Sequence, residues 1–237
     1  MGFEANTKDC SLLSDSEFEA MAQLSVAKSG MFDVGFLSKQ RDEWILNTTV
    51  FEGKKLRAYS FFSLERIGGT PAIIIGLADA DGTGKGIKAT NVLLAEQFRK
   101  SVLAFPDEDV LMCAMLMDPS AYTLFNKLHD VVPRLQYKPT GEERAWVRRI
   151  AKRFNVDGCV DEHTFRLEAS EDMMLSAANL TVATDDNVIK ESAPLFDGID
   201  PYKGDRIIVC GWAMAEDLAS GKLTRTLTHN SSRTTKV

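Results

Sequence analysis

The sequence is poor in the residue patterns that announce metal, redox or membrane chemistry. Its four cysteines, Cys10, Cys113, Cys159 and Cys210, form no CxxC pair. Its three histidines, His129, His163 and His229, stand far apart. A zinc ribbon and a thioredoxin-like motif are therefore excluded. Isolated thiols suit a reducing compartment. No apolar run approaches the ~20 residues of a membrane helix; the stretch from Ala72 to Ala78 is among the longest. The opening MGFEANTKDC lacks a basic segment followed by an apolar core, so it is not expected to act as a signal peptide. Asn6 stands where a myristoylation motif needs Ser or Thr. A cytoplasmic protein without a membrane partner is the expectation. Positive charge is also short, with 28 Lys and Arg against 34 Asp and Glu, a net of −6. Bulk attraction to nucleic acid is not expected. No internal repeat is visible.

What is present is ordinary globular material. Hydrophobic residues make up 44% and charged residues 26% of 237, enough for one sizeable core without a staple. The first ten residues are polar and read as mobile. Ser14-Asp15-Ser16-Glu17 caps a helix whose apolar stripe is Phe18, Met21, Ala22, Leu24 and Ala27, closed by Gly30. Trp44 to Phe51 and Leu56 to Ile67 read as a hairpin about Glu52-Gly53-Lys54-Lys55. Thr70 to Ala80 is a strand buried on both faces. A Gly-rich turn and a helix over about 88–103 follow, then a strand at Val110 to Met117. Asp118-Pro119 starts a helix over Ala121 to Leu128, and Val131 to Tyr137 returns to strand. Beyond it, Thr140 to Phe154 is an amphipathic helix. A strand is expected at His163 to Glu168, a short helix at Ser170 to Asn179 and a strand at Arg206 to Trp212. From Leu223 the chain reads as a disordered tail.

The most informative stretch is Gly82-Thr83-Gly84-Lys85-Gly86-Ile87 between strand and helix. Glycines there permit close backbone approach and leave helix N-terminal amides free for an anion. Phosphate binding and a bare tight turn are both compatible with it. A P-loop fails, because Asp79 holds its first glycine position and Gly86 follows Lys85. A dinucleotide fingerprint fails at Ile87, and an EF-hand fails at Thr90.

A fourth pattern fits better. Thr83 to Lys88 resembles the acyl-coenzyme-A-binding turn of the GNAT acyltransferase superfamily, Arg/Gln-x-x-Gly-x-Gly/Ala after a central strand. Thr83 replaces the usual Arg or Gln, and Lys88 the last small residue. A second motif of that family, Asn-x-x-Ala-x-x-Leu-Tyr-x-Lys, is matched downstream by Ala121, Leu124 and Lys127. Asp118 stands for its Asn and Phe125 for its Tyr. The resemblance covers roughly residues 30–138. It implies a mixed α/β fold: a largely antiparallel central sheet flanked by helices, with a splayed cofactor slot. The implied organisation is an N-terminal helical extension (1–30), a core (31–138), a C-terminal elaboration (139–222) that completes the sheet, and the tail (223–237).

The resemblance also implies chemistry. Acetyl-CoA or another acyl-CoA would lie with its thioester near Leu77 and Ala78. Its diphosphate would meet Thr83, Gly84, Lys85, Gly86, Ile87 and Lys88, with Asp118, Ala121, Phe125 and Lys127 beside it. The acceptor would be an amine of a small molecule or protein, and a homodimer is compatible with the sequence. Transfer needs a base for the ammonium and an acid for the leaving thiolate. Phe125 cannot donate, so Tyr122, three residues earlier, is the nearest substitute; a core aromatic is the other reading. Base candidates are Glu65 and Asp79, with Asp81 and His129 behind them. Cys113 reads as a core residue. The cations Arg144, Arg148, Arg149, Lys152 and Arg153 line one helix and suit either an acidic ligand or a solvated face. Trp146 and Trp212 read as packing residues or acceptor-site walls. Two alternatives stay open: a GNAT-like protein that has lost chemistry but binds coenzyme A or a partner, and a long-chain acyltransferase.

Overall fold

Period-two alternation, not mobility, governs the first residues. Phe3, Ala5 and Thr7 are half-buried while Glu4 and Asn6 are exposed, as one strand face against a core requires. In the computed structural model, which describes residues 2–26, 32–168, 178–179, 186–200 and 203–224, this segment is β1 (Phe3–Asp9). It pairs antiparallel with β2 (Leu46–Glu52). The expected N-terminal helix is α1 (Asp15–Val26); Ala27 and its proposed stop at Gly30 lie outside the described residues. A second helix, α2 (Val34–Glu43), was not foreseen from the sequence. Asp33 caps it by accepting from the Phe36 amide at 2.7 Å.

The hairpin is β2 with β3 (Lys55–Ile67), and β3 pairs antiparallel with β4 (Thr70–Ala80). Helix α3 (Gly84–Ala104) returns the chain to β5 (Val110–Leu116), parallel to β4. The expected helix over 121–128 is shorter. It comprises α4 (Pro119–Tyr122) and a 3₁₀ turn at Thr123–Phe125. Burial of Ala121, Leu124, Phe125 and Leu128 together draws the chain back onto the sheet. Strand β6 (His129–Val132) ends sooner than expected, because Pro133 has no amide to continue the ladder.

Helix α5 (Gly141–Arg153) follows the expected pattern, with a Thr140–Glu143 capping box. The strand sought at 163–168 is only β7 (Arg166–Leu167). Of the helix sought at 170–179, residues 170–177 lie outside the described residues. Residues 178–179 are instead a strand, β8 (Ala178–Asn179). Then come α6 (Asp186–Ser192), β9 (Arg206–Ala213) and α7 (Ala215–Ala219). Leu223 is buried and 222–224 are helical, so the expected tail does not start at Leu223; 225–237 lie outside the described residues.

Among the described residues, nine strands join one open, mixed and mostly antiparallel sheet flanked by helices. Its order is β1-β2-β3-β4-β8-β5-β9-β6, with β7 on β9. Strand β9 of the elaboration sits between β5 and β6. On one face α3 covers β1 to β4, packing Ala89 and Leu93 on Val50, Ala58 and Ala80. The other face receives α1 and α5. Trp146 of α5 meets Trp212 of β9 edge-on, ring centroids 5.8 Å apart. Trp44 meets Phe154 at 5.8 Å. These tryptophans therefore serve packing. Four of the five α5 cations are engaged too; Lys152 is exposed. Arg144 and Arg148 meet Glu162, Arg153 meets Glu65 at 2.7 Å, and Arg149 lies over Trp146.

Candidate functional site

The site begins with a bulge. Phe61 pairs with Leu77 and Phe62 with Ile75, leaving Gly76 without a partner. A Cβ on Gly76 would lie 1.8 Å from Trp44 Cε2. Only glycine admits that ring against the strand. A bulge bends its strand and raises local twist. The parallel pairing of β4 with β5 ends at Ile75 and Ala114, immediately before it. Beyond that point the two strands diverge, so the implied splay is present.

The splay is not an open slot. Ala78 pairs with Ala178 and Asp79 with Asn179, while Leu116 of β5 also pairs with Ala178. The backbone of β8 lies beside Ala78, in the slot where the resemblance implies the thioester end of the cofactor. Leu77, Ala78 and Asp79 are fully buried.

The Gly-rich turn at the end of β4 is braced by its own acids. Asp81 accepts from the Thr83 amide at 2.9 Å, from the Thr83 hydroxyl and from Arg57 Nη1. Arg57 is the unpaired residue of a second bulge, between Val50 and Phe51 of the facing strand. It donates to Glu52 through Nη2 at 2.6 Å and Nε at 3.1 Å. Lys85 Nζ reaches both Glu52 oxygens, at 2.8 and 2.9 Å. Thr83 caps α3, its hydroxyl accepting from the Lys85 amide at 3.2 Å and its carbonyl from Gly86 at 2.9 Å. The two glycines differ. A Cβ on Gly86 would lie 1.7 Å from the Asp81 carbonyl oxygen, whereas a Cβ on Gly84 would meet nothing within 4 Å. Gly86 is needed for the turn; Gly84 leaves open space above the helix N-terminus.

That space is a cleft of about 460 Å³ lined by Arg57, Thr83, Gly84, Lys85, Ile87, Lys88 and Asn91. Lys88 has no ion-pair partner among the described residues. Arg57, Lys85 and Lys88 against Glu52 and Asp81 leave a local excess of positive charge. A second cleft, about 590 Å³, lies across the turn among Leu24, Phe51, Lys54, Lys55, Leu56 and Asp81. Both clefts touch Thr83. The residues therefore fit the diphosphate end of a coenzyme A. At the thioester's expected position, beside Ala78, they present β8 instead.

These contacts make the turn acid-sensitive. Hydrogen bonds from Lys85 and Arg57 hold Glu52 below the usual carboxylate range. Burial pushes Asp81 upward, but hydrogen bonds from Thr83 and Arg57 outweigh it and leave it depressed. Depressed carboxylates contribute stability above about pH 4, lost as pH falls through their folded values. The urea midpoint should fall between pH 7 and pH 3. It should fall less steeply in Arg57→Met, where the shift is relieved; parallel pH profiles would refute this.

The other sequence candidates scatter. Asp79 accepts from the Ala80 amide at 2.9 Å and faces Tyr59 across the ladder. Glu65 faces Ala72, seven positions back along β4, roughly 23 Å away at ~3.3 Å per residue. Its carboxylate bonds to Arg153. The two carboxylates do not share a site. Tyr122 donates its hydroxyl to the Pro133 carbonyl at 2.7 Å, and burial pushes its phenol up to about 12. It lines a separate cleft of about 240 Å³ with Asn126, Arg134, Leu135, Glu191, Ser192 and Leu195. Asp118 caps α4 by accepting from the Ser120 amide at 2.8 Å. Ala121 and Phe125 are fully buried core residues. Lys127 Nζ is buried without a hydrogen-bond partner among the described residues, and burial lowers its pKa. His129 lies 3.0 Å from Asp217. Cys113 faces Cys210 across β5 and β9, and burial pushes both thiols up. No group of three or more His, Cys, Asp or Glu able to hold a metal occurs among the described residues. Nor is any described helix long and apolar enough to cross a membrane.

Sequence reasoning missed Arg57, Glu52 and Asn91. Nothing local marks them, because their roles arise from register. Gly76 carried a signal, as a lone glycine inside an otherwise apolar strand.

No protein-family model matches this chain, and no curated protein matches it. Solved structures are similar in part. A GNAT-family acetyltransferase from Bacillus cereus is 14% identical over 56% of this chain and 89% of its own, at a TM-score of 0.38. An acyl-CoA N-acyltransferase from Pseudomonas aeruginosa is 14% identical over 59% of this chain and 92% of its own, at 0.39. The ribosomal-protein-S18-alanine N-acetyltransferase from Escherichia coli is 12% identical over 59% of this chain and 86% of its own, at 0.37.

Proposed function

We propose that this chain binds an acyl-coenzyme A at the Gly84 end of α3 and transfers the acyl group to an amine. One observation carries the reading. An open, net-cationic cleft stands on a helix N-terminus at the end of β4, beyond the bulge where β4 parts from its parallel neighbour. The cofactor supplies a thioester-activated acyl group. Thr83, Gly84, Lys85 and Lys88 hold its diphosphate, with Arg57 and Asn91 at the rim. Lys85 exchanges Glu52 for phosphate oxygens, while Lys88 has no described ion pair to give up. Both add charge where the helix dipole already favours an anion. At the buried end of β4, Asp79 takes one proton of the acceptor's ammonium; the amine forms the C–N bond as the C–S bond breaks, and its second proton passes to the departing thiolate.

Isothermal titration with acetyl-CoA, a long-chain acyl-CoA and free coenzyme A tests the reading. Saturable binding is expected, and Lys88→Glu should weaken it at least tenfold with an unchanged unfolding midpoint. No binding by any of the three would overturn the assignment. Acyl-chain dependence separates acetyl from long-chain transfer.

A second reading, binding without turnover, is favoured by Phe125 and Tyr122. Phe125 is buried in the core at the position of the family's acid, and the Tyr122 hydroxyl is committed to Pro133. Tyr122→Phe should cost about 1 kcal/mol of stability for the lost hydrogen bond and leave acyl transfer unchanged. A tenfold fall in kcat would instead make Tyr122 the acid. Binding without thiol release across an amine panel would establish the second reading.

A further inference from the structure

We infer that β8 is a built-in occupant of the slot between β4 and β5, and that an extended ligand must displace it to enter. The inference rests in part on the acyl-coenzyme A reading, because that ligand class has an arm of the right form. The occupancy itself rests on pairing. Beyond Ile75 and Ala114, β4 and β5 no longer pair with each other. Their inner edges would then present unpaired amides and carbonyls beside Leu77, Ala78, Asp79 and Leu116, all fully buried. Buried backbone groups without partners are costly. Ala178 and Asn179 run parallel to β4 and supply its partners at Ala78 and Asp79, while Ala178 also reaches Leu116. The strand closes both edges at once.

A pantetheine-like arm entering as an added strand uses the same edge groups. Strand and arm therefore exclude one another. Apparent affinity is divided by the fraction of molecules whose slot is free. A slot free in one molecule in a hundred weakens binding about a hundredfold. Residues 178–179 belong to the long connection between β6 and β9, so this gate comes with the elaboration rather than with the core.

A reversible lock tests the idea. Leu116→Cys and Ala178→Cys, in a Cys159→Ser background, should form a disulfide, since paired strand positions fall within bridging range. Mass spectrometry reads the bond. The oxidised form should bind acetyl-CoA at least tenfold more weakly than the reduced form. Ala178→Pro, which removes an amide from β8, should bind it more tightly than wild type. It should also speed hydrogen exchange at the Ala78–Ala80 amides. Failure of the disulfide to form, or equal affinity of oxidised and reduced protein, overturns the inference. If no form binds acetyl-CoA, the exchange experiment decides. Faster exchange in Ala178→Pro supports the occupancy while the cofactor reading falls. Unchanged exchange overturns the occupancy.

Discussion

Gly76→Ala should lower the unfolding free energy by about 2–4 kcal/mol, among the largest losses expected of any single methyl added to this chain. The added Cβ would sit 1.8 Å from Trp44 Cε2 and 2.0 Å from Cζ2. Trp44 cannot yield cheaply. It is 4% exposed, lies against Phe154 and under the Arg153 guanidinium, and its indole donates to Gln40 at 3.2 Å. Trp44→Ala alone should cost about 3–5 kcal/mol by leaving a cavity. The double variant should cost clearly less than the sum, because the new methyl then enters vacated space. Urea unfolding of the four proteins closes the cycle. Strict additivity would mean that the ring and the bulge are not coupled. The same substitution bears on the site, since the bulge is what turns β4 from β5. Gly76→Ala should therefore also weaken acetyl-CoA binding, and the Trp44→Ala background should restore part of it.

The two glycines of the turn should respond in opposite ways. Gly86→Ala drives a Cβ to 1.7 Å from the Asp81 carbonyl oxygen and 2.7 Å from its carbon. Both are backbone atoms, and Asp81 is anchored through its amide to the Arg57 carbonyl at 2.8 Å and through its carboxylate to Thr83 and Arg57. The turn must open, at a cost of about 2–4 kcal/mol. Gly84→Ala meets nothing and sits in the first turn of α3 at an ordinary φ. Stability should hold or rise by up to about 1 kcal/mol, as alanine reduces the freedom of the unfolded chain. Its methyl nevertheless projects into the open cleft, so acetyl-CoA binding should weaken at least tenfold. Calorimetric unfolding with titration of both variants checks the pair. Gly84→Ala with wild-type affinity would remove the helix N-terminus from the binding site; Gly86→Ala with a wild-type midpoint would show that Asp81 moves freely.

Much of the central architecture was legible because it is local. Ile73, Ile74 and Ile75 announce a strand covered on both faces, and β4 is that strand. Asp118-Pro119 announces a helix start, and α4 begins there. The final strand sought beyond the core is β9, whose run from Arg206 to Gly211 is fully buried. Elements governed by packing were misread. β1 has too few apolar residues to signal a strand alone; its alternation becomes meaningful only with β2 beside it. The helix after β5 stops early because its apolar residues must reach the core together. For the site, the Gly-rich turn was legible as a possible anion cradle. Glu65 and Asp79 looked alike as strand-end carboxylates, yet antiparallel pairing sends Glu65 toward the start of β4 and Asp79 toward its end.

The sequence by itself determined the strand, turn and helix that make the cleft. These depend on neighbours a few positions apart. Tertiary structure alone decided that Arg57 and Glu52 join the turn, that Trp44 seats on Gly76, and that residues 178–179 enter the sheet between β4 and β5. Each of these joins segments distant in sequence, and backbone pairing recognises partners by register and unpaired edges rather than by side-chain identity.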